Sequence, residues 1–203
     1  MTPVYKLSAS SITGRTTYGS MLAGNPTYTI PTDYESIATV TVGSGGAANV
    51  EFTSIPGTYT HLQIRGIAKD DGGTANTRFL VFRFNSDTGS NYAWHTLQGE
   101  GSVVNTNDGP SENYAYISGI NEGTANVFTA FVIDILDYAN TNKYKTARGL
   151  GGFDANGSGL ITFNSSLWQN TNAITSITLD ARATLLGNFE QYSHFALYGI
   201  RGA

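Results

Sequence analysis

The sequence predicts an all-β protein, an antiparallel β-sandwich of jelly-roll type with an extended N-terminal arm. Short stretches alternate apolar and polar residues, as half-buried strands do, and Gly, Asn, Asp or Ser stands at nearly every break between them. Charged residues make up only 13% of the 203 residues, whereas hydrophobic residues make up 40%. No segment has a convincing helical pattern, and no internal repeat indicates a propeller or a β-helix. These observations favour a sandwich.

About ten strands are predicted after the arm, with the sandwich domain spanning residues 35–203. The predicted segments are 37–42, 49–55, 59–68, 77–85, 91–99, 113–120, 125–138, 144–154, 159–170, 173–181 and 194–202. The glycine-rich turn 43–48 separates the first two. Within 59–68, Leu62 and Ile64 should share one face of the sheet, because side chains alternate along a strand.

Residues 1–34 are predicted to form the extended arm. They are rich in Ser, Thr, Gly and Tyr, have no sustained period, and are too polar to build a core of their own. A frayed terminus is the alternative. We favour an arm that orders against a partner, because aromatic and aliphatic residues recur along it. The residues predicted to anchor it on that partner are Tyr5, Leu7, Ile12, Tyr18 and Leu22.

Composition argues against several classes of partner and chemistry. The net charge is −4 and no run of basic residues occurs, so we expect no nucleic-acid partner. Cysteine is absent, which removes disulfides and thiol catalysis. The longest apolar stretch, 127–138, is interrupted by Asp134 and is shorter than the ~20 residues of a membrane-spanning helix. The N-terminal residues have no secretory pattern, and no membrane association is expected.

Metal and cofactor sites are not predicted. The three histidines do not stand at the spacings of a ligand pair. The loops 85–91 and 154–159 offer oxygen atoms on glycine-bent backbone, so they are candidates for calcium, but both lack the EF-hand pattern. We therefore favour ordinary turns, in which Asn and Asp bond to nearby backbone groups. The histidines are His61, His95 and His194.

Catalytic residues are not predicted either, and the chain is expected not to be an enzyme. Asp134 and Asp137 are three residues apart in a strand-like segment, which places them on opposite faces and makes them poor partners for glycoside hydrolysis. Neither a serine-hydrolase elbow nor a phosphate-binding loop is present. Carbohydrate binding stays an alternative, since Trp94, Trp168 and many tyrosines offer stacking faces.

Four segments resemble a group of small virion proteins of tailed phages, including cyanophages. They are 34–68, 82–102, 132–146 and 192–202, and they contain a "VTVGSGGA" hairpin, "TYTHLQIR", "DTGSNY", "ILDY" with "NTNK", and "FALYGI". The resemblance covers about residues 34–203 and leaves the arm out. It implies that the stretch Phe82–His95 is a connection between strands, with Phe82 and Phe84 facing the core, Asp87 and Asn85 bonding to turn amides, and Gly89 supplying a positive φ.

The resemblance implies a structural component of a phage particle. Two placements compete: a capsid decoration (cement) protein on the outer shell, and a tail fibre, tailspike or receptor-binding appendage. One compact domain with an arm, and no long shaft, favours decoration. The expected partners are then the major capsid protein and copies of the chain itself, as a homotrimer, and a host surface glycan is a further candidate ligand. The expected location is the virion.

Overall fold

The computed structural model describes residues 33–72, 78–121, 123–182 and 187–202. The chain divides into two units, 1–33 and 34–203, and nearly all described residues belong to the second. The described residues form strands and turns without a helix, which confirms the predicted all-β class. The twelve strands are β1 Tyr34–Thr41, β2 Asn49–Phe52, β3 His61–Ala68, β4 Arg78–Phe84, β5 Tyr92–Glu100, β6 Val103–Glu112, β7 Ala115–Ile120, β8 Thr129–Leu136, β9 Lys145–Asp154, β10 Gly159–Trp168, β11 Ile177–Arg182 and β12 His194–Ile200.

Two antiparallel sheets pack together as a sandwich. The larger sheet has eight strands in the order β1-β12-β3-β8-β9-β10-β5-β6, and the smaller has four in the order β2-β11-β4-β7. Four pairings are nested along the chain: β1 with β12, β2 with β11, β3 with β8, and β4 with β7. The hairpins β5–β6 and β9–β10 are not part of these four nested pairs: the first is inserted between β4 and β7, and the second between β8 and β11. They join each other through β5 and β10 and extend the larger sheet on one side.

The core lies between the sheets and is built from alternate residues of both. Leu62 and Ile64 of β3 are fully buried, as the alternation predicted, and Phe82 and Phe84 of β4 face them from the smaller sheet. Burial of each such side chain stabilises the fold by about 1.5–3 kcal/mol. The prediction that Phe82 and Phe84 face the core is confirmed.

The glycine-rich segment 43–48 is not the turn of a hairpin. β1 pairs with β12 in the larger sheet, whereas β2 pairs with β11 in the smaller one. The segment therefore carries the chain across the edge of the sandwich. Gly46 has a φ of +68°, which favours glycine, and its close approach to the carbonyl oxygen of Phe189 leaves little room for a side chain.

Two motifs of the proposed resemblance meet in the core. A Cβ atom at Gly199 would lie 2.4 Å from the ring of Tyr59, so only glycine allows the ring to cover the backbone of β12 there. Tyr59 in turn donates a hydrogen bond to Glu35 Oε2, at 2.9 Å. Gly199 and Tyr59 thus have structural roles, because the Tyr59 ring covers β12 and its hydroxyl bonds to Glu35 of β1.

Candidate functional site: the outer face of the larger sheet

The stretch Phe82–His95 forms a corner between the two sheets. β4 belongs to the smaller sheet and β5 to the larger, so the residues between them carry the chain from one sheet to the other. Asn85 and Ser86 have φ values of 51° and 54°, the left-handed conformation of a tight turn. Asn85 also binds the neighbouring loop, where its Oδ1 accepts from the amide of Thr175 at 2.8 Å. The prediction that this stretch is a turn is confirmed.

Asp87 supplies the internal bonds of that corner. Its carboxylate accepts from the Gly89 amide at 2.9 Å, from Asn91 Nδ2 at 2.9 Å and from Trp168 Nε1 at 2.8 Å. Burial raises the pKa of Asp87, but these donors outweigh burial and hold the pKa below its usual value. The prediction for Gly89 was wrong, because its φ is not positive. A Cβ atom at Gly89 would lie 2.7 Å from Asn91 Nδ2, so a larger residue there would displace the Asn91 side chain from Asp87.

The second candidate loop is also a turn. Asp154 Oδ1 accepts from the amide of Asn156 at 2.8 Å, and the amide of Ala155 donates to the carbonyl of Ser158 at 2.7 Å. The carboxylate therefore bonds to the backbone of its own loop. Within the described ranges, no group of three or more His, Asp or Glu side chains is placed to hold a metal ion.

The acidic residues weighed for catalysis bind separate neighbours. Asp134 accepts from Gln63 Nε2 at 2.7 Å, on the outer face of the larger sheet. Asp137 lies just beyond the end of β8 and forms an ion pair with Lys143, which holds the pKa of Asp137 below its usual value. The arrangement presents no paired carboxylates in a cleft.

Both tryptophans are buried, which removes one basis for the carbohydrate-binding alternative. Trp168 packs against Tyr92 and Phe84 at the corner described above, and Trp94 packs against Tyr116. Neither ring offers a face to a sugar.

In the middle of strand β10 the usual burial pattern is inverted: polar side chains face the core and apolar side chains face solvent. Its inward residues Thr162, Asn164 and Ser166 are polar and at most 3% exposed, whereas the outward Ile161 and Phe163 are 60% and 50% exposed. A one-residue slip in register would exchange the two faces, so the sequence alone does not favour this arrangement. The pairings with β5 and β9 nevertheless fix it along the whole strand.

Two of the inward polar side chains of β10 form hydrogen bonds with the backbone of β7. Asn164 Nδ2 and Ser166 Oγ both donate to the carbonyl of Tyr116 in β7, the latter at 3.1 Å. Gly149 of β9 makes room for Asn164, since a Cβ atom there would lie 2.3 Å from Asn164 Oδ1. The packing of β7 on the middle of β10 thus uses small and polar groups, whereas Ile161 and Phe163 face outward; Leu160 and Trp168, at the two ends of the strand, are buried.

The outward apolar side chains form one continuous surface, which we call the apolar patch. Phe163 lies opposite Leu97 of β5 and opposite Leu150 of β9. In the next row, Ile161 and Val104 lie on either side of Gly99. The patch consists of Leu97, Val104, Leu150, Ile161 and Phe163, whose exposures run from 45% for Leu150 to 73% for Val104. All five stand on the two added hairpins.

A polar row and a groove border the apolar patch. The row lies on the same face and crosses the strands through Asp108, His95, Ser165, Arg148 and Asp134. The open groove has a volume of about 640 Å³ and is lined chiefly by glycine and aliphatic side chains, with Arg65 and Asp154 as its charged members. Exposed apolar surface bounded by polar groups is typical of a protein-binding site.

Burial of the apolar patch would give a substantial free energy. A fully buried Val, Leu, Ile or Phe side chain contributes about 1.5–3 kcal/mol, and about half of each patch side chain is still exposed. Complete burial of each side chain would therefore contribute roughly 1 kcal/mol more, or about 5 kcal/mol for the whole patch. That amount is comparable to the lower estimates of the entropy lost on association, about 4 kcal/mol, so the patch can form the centre of an interface.

Sequence reasoning missed both β6 and the inversion of β10. The segment 103–112 has Asn, Asp, Gly, Pro and Ser at six of its ten positions, which is typical of a loop, and it was not predicted as a strand. The available signal was "LITF" next to "NSS" in 159–168, where apolar and polar residues alternate without indicating which set faces inward. The predicted anchors Tyr5, Leu7, Ile12, Tyr18 and Leu22 lie outside the described residues, so they stay a prediction.

Comparison with protein-family models, with curated proteins and with solved structures gives no match. Over the part of the chain that the structure describes, no helix is long and apolar enough to cross a membrane.

Proposed function

We propose that this protein is a structural component of a bacteriophage virion, a decoration (cement) protein that binds the outer surface of the capsid and stabilises it. The observation that carries the proposal is the inverted strand β10, which turns Ile161 and Phe163 toward solvent beside polar residues that are buried. Such a face is suited to contact with another protein, because about 5 kcal/mol of apolar burial is left unused in the isolated chain.

The strand order supports the proposal. Setting the two added hairpins aside, the first strand of the nest pairs with the last, the second with the second last, and so on inward. We infer that this is a jelly roll of eight strands, extended by β5–β6 and β9–β10. Jelly rolls build viral capsid domains, but also lectins and cupins, so the fold alone does not select the function. The resemblance to phage virion proteins and the exposed apolar patch favour the capsid.

In the proposed mechanism, the protein acts by contact. The apolar patch is buried on the shell, and the N-terminal arm adds area by ordering across neighbouring subunits at a cost of roughly 1–2 kcal/mol per residue. The proposed assembly is a homotrimer, one copy to each capsid subunit around a local three-fold axis. The partners are the major capsid protein and other copies of this chain.

Copy number per particle tests the proposal. Purified virions are digested, and this chain is quantified by mass spectrometry against the major capsid protein. A ratio near one to one is expected for shell decoration. A small fraction of that ratio would overturn decoration in favour of the tail placement, and absence from virions would overturn the virion proposal as a whole.

A further inference from the structure

Strand β6 ends the larger sheet and leaves one of its edges open. It pairs with β5 alone, and no other strand of the described residues lies beside it. Residues 103–108 are exposed throughout. At an edge strand the backbone N–H and C=O groups that point away from the sheet can bond to a further strand, so this edge is a template for pairing.

The second half of β6 is protected against such pairing, and the first half is not. The register shifts opposite Tyr92 and Trp94, where a Cβ atom at Gly109 would lie 2.4 Å from the indole of Trp94. Pro110 has no N–H to offer, and Ser111 has a φ of 59°, so the strand cannot continue a regular ladder there. Residues 103–108 have no proline, glycine or lysine and carry a single charge, on Asp108.

The open half of β6 is continuous with the apolar patch. Val104, the most exposed residue of the patch, stands in this segment, and Val103 beside it is 51% exposed. A partner that fits must therefore supply a β-strand edge and an apolar surface next to it. The chain itself has both, on the same segment.

We propose that β6 is a self-association edge, at which two copies of this chain pair antiparallel along residues 103–108 about a two-fold axis. Such a contact uses the same surface on both copies and is closed. It places the two Asp108 carboxylates at opposite ends of the paired segment, so like charges do not meet. It also brings the two apolar patches side by side in one extended sheet. The contact is distinct from the three-fold contact proposed above and does not depend on the placement in a virion.

The absence of cysteine from the chain allows a direct test of the pairing. Each residue from 103 to 108 is replaced singly by cysteine, and disulfide formation between copies is measured under mild oxidation. Only the residue nearest the two-fold axis meets its own copy, because each step along the strand adds about 7 Å between equivalent positions. Disulfides need Cα atoms within about 7 Å.

We therefore expect cross-linking that peaks at one position, or at two adjacent ones, and falls off on both sides. The control is Thr39→Cys on β1, an exposed position on the opposite edge strand, which should not cross-link. Uniform cross-linking along 103–108, no cross-linking at all, or a stronger signal from Thr39→Cys would each overturn the proposal.

A matched pair of lysine variants separates edge pairing from packing of two sheet faces. Val104→Lys adds a charge to the open edge at an exposed site, so the fold should be kept. Ile161→Lys makes the same kind of change within the same apolar patch, at a 60% exposed position, but on β10, two strands in from the edge. Circular dichroism of both variants checks the fold.

In sedimentation experiments on the full chain, Val104→Lys should raise the dissociation constant of the paired species at least about tenfold. Ile161→Lys should leave it unchanged or nearly so. A chain that is monomeric at every accessible concentration overturns the proposal. Equal weakening by both variants also overturns it, in favour of face-to-face packing, and so does an unchanged dissociation constant in both.

Discussion

Replacing Asp87 by Ala should destabilise the corner between β4 and β5 more than the removal of an ordinary turn residue. The change takes away the acceptor for Trp168 Nε1, at 2.8 Å, and for the Gly89 amide, at 2.9 Å. Trp168 is only 1% exposed, so its N–H would stay buried without that acceptor, at a cost of about 1–3 kcal/mol. The lost turn bond adds about 1 kcal/mol, for a total of roughly 2–4 kcal/mol.

The assay is urea denaturation at neutral pH and low protein concentration, with Asp154→Ala as the matched control. Asp154 also accepts an amide bond in its own loop, from Asn156, but no indole depends on it in the contacts described above. Its replacement should cost about 1 kcal/mol or less. A double-mutant cycle of Asp87→Ala with Trp168→Phe should give a coupling of about 1–2 kcal/mol. Equal losses in the two aspartate variants would show that the bond to Trp168 adds nothing beyond an ordinary turn bond.

The same carboxylate should make stability depend on pH in a defined direction. Although burial raises the pKa of Asp87, the hydrogen bonds from Trp168, Asn91 and Gly89 hold it below its usual value. The ionised form is therefore favoured in the folded state, and its contribution is complete above the unfolded pKa of about 4. That contribution is lost as the pH falls through the lower folded pKa. Below pH ~4 the difference in unfolding free energy between wild type and Asp87→Ala should shrink.

Three further predictions concern the interior. Lys145→Met should lower the free energy of unfolding by roughly 2–4 kcal/mol, because the fully buried Lys145 donates to three backbone carbonyls at 2.7–3.0 Å. Chemical denaturation measures this loss, and a value below about 1 kcal/mol would contradict the prediction. Gly199→Ala should lower the melting temperature, because its Cβ atom would lie 2.4 Å from the Tyr59 ring. Adding Tyr59→Ala removes the clash, so the melting temperature of the double variant should be higher than that of Gly199→Ala combined with the separate effect of Tyr59→Ala. Ser118→Ala should leave stability unchanged or raise it, since the buried Ser118 hydroxyl bonds to no group of the described residues, and a marked loss on denaturation would count against this account.

The sequence allowed the fold class to be predicted because most core strands follow the usual rule. In β3, Leu62 and Ile64 alternate with polar residues, and the apolar set is the buried set. Turn chemistry was equally informative around Asp87, where a short polar side chain in a run of Asn, Ser and Gly indicates local bonding to the backbone. Both features depend on neighbours in sequence, so one chain is enough to predict them.

The candidate site could not be predicted, because it depends on how strands pair in the folded chain and not on neighbours in sequence. The rule that apolar residues face the core places Ile161 and Phe163 inside, but in β10 the inward positions belong to Thr162 and Asn164. The orientation is decided by pairing with β9, across a short turn, and with β5, which is distant in sequence. β6 was missed because its propensities are those of a loop, and only its ladder with β5 makes it a strand.

Hydroxyl-radical footprinting of Phe163 measures directly whether the outer apolar face is buried when the protein is bound to the particle. The rate of oxidation is compared between the isolated chain and purified virions. Tyr192, 69% exposed and outside the larger sheet's strands, serves as the internal reference. Phe163, 50% exposed in the isolated chain, should become strongly protected on the particle relative to Tyr192. Equal reactivity of Phe163 in both states would mean that this face is not buried on the particle.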